Sequence, residues 1–189
     1  VLIGGAPYDV AGLKSRAKAL VWSWFNGSEG GNALADVLLG KINPSGKLPW
    51  TMPKNINESP AHATNSFPGD KTATYKEGIL VGYRWFDTKN IEPLYPFGYG
   101  LSYTSFNIGN FSANKKSYNK SETILIKCTV KNTGKRKGAE VVQVYVSNPG
   151  SSVMKADKEL KAFSKVMLQQ GESKVVEMKI KVADLAFYD

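Results

Sequence analysis

The chain has 189 residues, of which 25 are Lys or Arg and 16 are Asp or Glu, giving a formal net charge of +9 with 42% apolar and 11% aromatic residues. That length holds one medium domain or two small ones, and the longest apolar runs, such as Ala19 to Trp22 and Val37 to Leu39, fall far short of the roughly 18 to 20 residues of a bilayer-spanning helix. The apolar content is too high and too evenly spread for a disordered chain, and the single cysteine, Cys128, rules out an intramolecular disulfide framework and a cysteine zinc site.

The chain starts without Met on Val1-Leu2-Ile3-Gly4-Gly5, which reads as a buried strand and lacks the charged start and cleavage site of a signal peptide. It stops on Leu185, Phe187 and Tyr188 while an apolar pattern is under way, so the expectation is a piece of a longer polypeptide. In chain order, Val1 to Gly4 reads as a strand, Gly12 to Lys18 as a short helix, and Ala19 to Trp24 as a second strand. Gly31 to Leu39 follows as a helix and Leu48 to Thr51 as a third strand. Continuous rather than alternating apolar strands point to a parallel sheet covered on both faces. Ser28 is the expected cap of the second helix, Glu29 suits the positive end of its dipole, Gly40 suits its C-terminal stop, and Ala33, Leu34, Val37 and Leu38 form its apolar stripe.

Residues 54 to 76 are rich in Asn, Ser, Thr, Pro and Ala, carry the lone His62, and read as a long surface loop. Gly78 to Asp87 reads as a strand, and Pro93 to Tyr103 as an aromatic, Gly-rich connector. From Phe106 the apolar period becomes two. Ile124, Ile126, Cys128 and Val130 form one set, Val142, Val144 and Val146 a second, Leu160 to Val166 a third, and Val176, Met178, Ile180 and Val182 a fourth. Turn signals at Asn132-Thr133-Gly134, Asn148-Pro149-Gly150 and Gln170-Gly171-Glu172 separate them, which is a β-sandwich pattern. Seven sandwich strands take about 100 residues, so one or two closing strands are expected beyond Asp189.

The charge divides unevenly: residues 1 to 104 hold 10 basic and 8 acidic side chains and residues 105 to 189 hold 15 and 8, net +2 and +7. Only Arg16, Arg84 and Arg136 are arginines, and the lysines of the second half fall at alternating strand positions, as on a solvated sheet face. Nucleic acid is therefore not the expected partner.

No phosphate-binding loop is present, because Gly40-Lys41 precedes Ile42 and Gly46-Lys47 precedes Leu48. His62 has no His or Cys partner and no Gly-x-Ser-x-Gly elbow precedes it, which argues against a metal site and a Ser-His-Asp triad. Cys128 falls on the inward face of a strand, as a small buried hydrophobe. The remaining candidates are the carboxylates Glu29, Asp36, Glu77 and Asp87. Ligands of open parallel sheets gather beyond the strand C-termini, here Gly4 to Pro7 and Phe25 to Glu29, so Glu29 is the best placed, although a first-turn helix role accounts for it. Asp36 is expected to be solvated, and no spacing pairs Glu77 or Asp87 with a second carboxylate. Trp50, Trp85 and the aromatics from Pro96 to Tyr103 are expected to be buried rather than to stack on sugars.

The run Trp24-Phe25-Asn26-Gly27-Ser28-Glu29-Gly30-Gly31-Asn32-Ala33-Leu34-Ala35-Asp36-Val37-Leu38-Leu39-Gly40, then Asn43-Pro44-Ser45-Gly46-Lys47-Leu48-Pro49, resembles the C-terminal α/β-sandwich domain of glycoside hydrolase family 3. Tyr75-Lys76-Glu77-Gly78, Gly82 to Asp87 and Pro96 to Tyr103 resemble the same domain. The β half resembles that family's fibronectin type III-like domain through Asn132-Thr133-Gly134, Gly138 to Val146, Lys158 to Phe163 and Gly171-Glu172-Ser173.

The resemblance implies an α/β plus all-β chain: residues 1–104 as the C-terminal part of an α/β sandwich with a mainly parallel sheet, and residues 105–189 as a fibronectin type III-like, Ig-like β-sandwich. It implies part of a retaining exo-acting β-glycosidase, foremost a β-glucosidase, acting on a β-linked oligosaccharide or glucoside through a barrel domain that is not represented here, with no metal and no cofactor. The catalytic Asp of that family belongs to the barrel and its acid/base Glu to a motif upstream of Val1. No catalytic residue is thus assigned to this chain, and Glu29 matches a helix start. A periplasmic or secreted setting is favoured. The competing reading is a non-catalytic carbohydrate-binding or adhesion β-sandwich with an α/β scaffold.

Overall fold

The computed structural model describes residues 1–5 and 9–187. The chain forms two compact units, one of Val1–Ile42, Lys47–Gly100 and Ser147–Lys158, the other of Asn43–Gly46, Leu101–Val146 and Glu159–Asp189.

The first unit is mixed α/β. Its helices are α1 (Ala11–Lys14), α2 (Gly30–Leu38), α3 (Pro60–Ala63) and α4 (Tyr83–Thr88). Parallel pairing is present where expected between the first two apolar runs, but only as a single bridge, Leu2 to Trp22, closed by the Leu2 amide on Val21 and the Ser23 amide on Leu2. The third expected strand, Leu48 to Thr51, is not one. Met52 instead bridges Tyr95 antiparallel, and Leu48 exchanges backbone bonds with Gly98 and Tyr99, because the Pro93 to Tyr99 connector folds back along it.

Gly78 to Asp87 is not a strand either. Gly82, at φ +60°, turns the chain into α4, and Leu80, Tyr83 and Phe86 recur three residues apart on the buried side. Residues 54 to 76 are not a bare loop, since they hold a 3-10 turn at Ile56–Glu58 and α3. Asn55 and Glu58 cap that turn reciprocally.

α2 begins at Gly30 with Glu29 as its N-cap residue and no side-chain cap bond, because Ser28 sits inside the turn in which the Gly30 amide meets the Gly27 carbonyl. Its end follows expectation. Gly40 adopts φ +72°, its amide donates to the Val37 carbonyl, and the Lys41 amide donates to Asp36, which is a Schellman stop. α4 closes the same way through Asn90 at φ +54°, with Asn90 donating to Asp87 and Ile91 to Phe86.

The second unit is all β. Strands β1 (Phe106–Ala113), β2 (Thr123–Asn132) and β5 (Ser173–Lys181) form one antiparallel sheet in the order β1-β2-β5, and β3 (Gly138–Val146) and β4 (Glu159–Leu168) form a second. The alternation read in the sequence sets the register: Ile124 faces Ile180, Ile126 faces Met178 and Cys128 faces Val176. The ladder of β1 slips between Gly109 and Ser112, where Asn110 takes φ +54°, a value that Asn tolerates better than most residues. Cys128, Val130, Val142, Leu168, Val176 and Met178 make the core between the sheets, with Phe106, Val144, Ala162 and Val166 packed against it.

Among the described residues, one polar residue lies inside this apolar unit. Asn132 is fully buried, and every group it has is satisfied. Its amide nitrogen donates to the carbonyls of Arg136 (2.7 Å) and Leu168 (3.3 Å), and its side-chain oxygen accepts from Thr104 Oγ1 (2.8 Å) and the Gly134 amide (3.1 Å). Its backbone bonds Glu172 and Gly171. Gly134 has to stay glycine, because a Cβ there would lie 2.6 Å from the Ser105 nitrogen and 2.2 Å from Thr104 Oγ1. Asn43 works alike in this unit: its nitrogen donates to the Lys137 carbonyl and its oxygen accepts from Ser102 Oγ and the Tyr103 amide.

Asn132→Ala strands buried polar groups on three backbone segments and is expected to lower stability by roughly 3 kcal/mol. Urea unfolding followed by far-UV dichroism checks this, with exposed Thr133→Ala as the near-neutral comparison.

Candidate functional site

Each candidate carboxylate has a definite setting. Glu29 is exposed and accepts a bond from Asn32 Nδ2 at 2.7 Å, a local helix-start contact. Asp36 is not fully solvated. It is half-buried and ion-paired with Lys41 at 3.3 Å across the α2 stop. Asp87 leaves α4 and pairs with Lys158 Nζ at 3.2 Å. Glu77 buries one carboxylate oxygen with no hydrogen-bond partner among the described residues, as do the Trp50 indole nitrogen and Thr51 Oγ1.

His62 is half-buried rather than a free loop histidine. Its Nδ1 lies 2.9 Å from Ser59 Oγ, and its ring packs 5.1 Å from that of Phe67. Cys128 is 1% exposed on the inward face of β2, and burial pushes its thiol pKa up. No group of three or more His, Cys, Asp or Glu side chains that could hold a metal ion occurs among the described residues.

The tryptophans pack on one another. Trp22, Trp24 and Trp50 form a triad with centroids 4.9 to 5.7 Å apart, and the Trp22 nitrogen donates to the Gly4 carbonyl. Trp24 holds φ +57°, an uncommon conformation for a bulky side chain, at the C-terminal end of its apolar run. Trp85 donates to the Glu58 carbonyl and carries Lys89 over its ring. Tyr83 packs on Phe97 and Tyr95 on Tyr99. Of the expected ligand edge at Gly4 to Pro7, positions 6 and 7 lie outside the described residues.

The sequence pointed to no cavity, but the first unit has one of about 310 Å³ beside α4. Asp87, Thr88, Asn90, Asn148, Lys155 and Asp157 are among its lining. The Ser147–Lys158 segment makes one wall and is anchored by the Asp157 amide on Thr88 Oγ1 (2.9 Å) and by the Asp87 pair. The only signals in the sequence were Asn148-Pro149-Gly150, which marked a turn, and Asp87. Asp87 in its lining is paired with Lys158, and Asp157 is exposed.

A mixed α/β unit and a two-sheet antiparallel sandwich in one chain define the class of protein, a chain that couples an α/β module to a fibronectin-like one. Residues 1–103 match the glycosyl hydrolase family 3 C-terminal domain and residues 140–189 the fibronectin type III-like domain. The chain belongs to glycosyl hydrolase family 3. It is 44% identical, over its full length, to beta-glucosidase BoGH3A of Bacteroides ovatus and to thermostable beta-glucosidase B of Acetivibrio thermocellus, covering 26% and 25% of those proteins. Beta-glucosidase 3B of Thermotoga neapolitana, solved in complex with glucose, superposes with a TM-score of 0.91 at 40% identity over 98% of this chain and 26% of that one. A Bifidobacterium adolescentis GH3 beta-glucosidase gives 0.92 at 40% identity over 100% and 27%. The chain thus spans about a quarter of the length of the relatives it matches.

Burial favours the neutral thiol of Cys128 in the folded state, so the fold loses stability as pH rises from the ordinary thiol value, about 8.5, toward the raised folded one. Urea midpoints taken across that interval are expected to fall less for Cys128→Ala than for the parent. A disulfide reagent is expected to label Cys128 only on unfolding.

Proposed function

We propose that this chain is the scaffold part of a retaining, exo-acting β-glucosidase that removes terminal non-reducing β-D-glucosyl residues, with the nucleophilic Asp and the acid/base Glu outside these 189 residues. In this reading residues 1–104 are the C-terminal part of the α/β sandwich and residues 105–189 the fibronectin type III-like domain.

The observation that carries the reading is full-length identity of 44% to two beta-glucosidases. Three candidate carboxylates support it by being committed to other contacts: Glu29 to Asn32, Asp36 to Lys41 and Asp87 to Lys158. The first unit also exposes apolar side chains that a self-sufficient domain would bury, with Phe25 at 80% and Leu39 at 72%. Leu34 and Val37 are only half-buried, while Ala33 and Leu38 are exposed, so the stripe of α2 awaits a partner surface. The rest of the enzyme supplies that surface, and the glucoside substrate is held there.

A chromogenic aryl β-D-glucoside checks the assignment of the chemistry. The 189-residue chain alone is expected to release chromophore at the buffer rate, whereas the whole enzyme that contains it turns the substrate over. Turnover by the isolated chain, abolished by Glu77→Gln or Asp87→Asn, would place the catalytic carboxylates inside it and sink the proposal.

A further inference from the structure

The sheet β1-β2-β5 has one face in the core, and its other face is charged. Register places Thr123, Leu125, Lys127, Thr129 and Lys131 of β2 on that outer face, opposite Lys181, Lys179, Glu177, Val175 and Ser173 of β5. Lys127 is ion-paired with Glu177. Lys131, Lys179 and Lys181 are exposed, and the residues opposite them in the ladder are Ser173, Leu125 and Thr123, none of them acidic. Four lysines thus face a single glutamate across these two strands. At about 3.4 Å per residue and 4.8 Å between strands, they form a diagonal about 27 Å long from Lys181 to Lys131. Lysines crowded on one sheet face repel one another, and a polyanion laid along the diagonal relieves that repulsion.

We propose that this face docks an anionic polysaccharide of the polyuronate type, whose repeated carboxylates pair with the ammonium groups of Lys131, Lys179 and Lys181. Two features favour a polysaccharide over a nucleic acid. The charges are lysines throughout, with none of the three arginines that bidentate base and phosphate contacts would use. The ten facing positions on β2 and β5 carry no aromatic side chain on which bases could stack. The choice of a glycan also rests on the reading of the chain as part of a glycan-degrading enzyme, but the docking face holds no part of the chemistry.

The test is retention of the 189-residue chain on immobilised polygalacturonate, with affinity read by titration at ionic strengths of about 0.02 M and 0.3 M. Saturable binding that weakens with salt is expected. The triple variant Lys131→Glu, Lys179→Glu, Lys181→Glu is expected to bind on the order of a hundredfold more weakly, at about fivefold per lysine. The triple arginine variant at the same positions is expected to keep its binding, and a charge-matched control, Lys18→Glu, Lys71→Glu, Lys76→Glu, to bind like the parent. Matching thermal midpoints for the variants show that the sheet is intact. Absence of binding, an equal loss in the control triple, equal retention on a neutral β-glucan, or tighter binding of single-stranded DNA than of polygalacturonate would each overturn the proposal. Because no turnover is measured, these outcomes are independent of the glucosidase reading.

Discussion

The β unit depends on one buried amide. Asn132 closes β2, and its side chain reaches the following connection at Arg136, the end of β4 at Leu168 and Thr104 just before β1, while its backbone holds the turn before β5. An amide has two donor hydrogens and an acceptor oxygen with two lone pairs, and here each has a partner. A side chain of similar volume without that donor and acceptor pattern would leave buried carbonyls unpaired, at more cost than its apolar packing returns. The two sheets meet on a shared core around Val130 and Leu168, and the amide fixes the loops at one end of that core.

The α/β unit is held differently. Few backbone ladders run through it, and its order comes from helix stops and aromatic packing. Gly40 and Asn90 end α2 and α4 with the same left-handed residue, the Trp22, Trp24 and Trp50 rings fill the space beside the single parallel bridge, and Met52, Leu80 and Phe86 are its buried anchors. Exposed Phe25, Leu38 and Leu39 leave an apolar surface around α2 uncovered within the chain. An open apolar surface is what a scaffold presents to the body it supports, which matches a chain that spans about a quarter of its relatives.

The β half was legible because a period of two has one reading: Cys128 and Val130 on β2, and Val176 and Met178 on β5, are buried where alternation puts them. The stop of α2 was legible because only a left-handed residue closes it, and Gly40 supplies one. Gly78 to Asp87 misled, since a short apolar run fits a buried strand as well as a helix. The deciding signals were Gly82 and the three-residue spacing of Leu80, Tyr83 and Phe86. Leu48 to Thr51 misled because its partner, Tyr95 to Tyr99, lies far away in sequence. The cavity beside α4 was invisible for the same reason: it joins Asp87 and Asn90 to a connection about sixty residues further on.

In the function proposed above this chain shapes and supports, and the reacting groups lie elsewhere in the enzyme. A retaining mechanism passes through a covalent glycosyl-enzyme, so the nucleophile can be trapped. The most direct measurement is peptide mapping by mass spectrometry of the whole enzyme after inactivation with a 2-deoxy-2-fluoro-β-glucoside that accumulates that intermediate. The account predicts a single labelled carboxylate in a peptide outside residues 1–189. A label on Glu29, Glu77, Asp87 or any other carboxylate of this chain would contradict it.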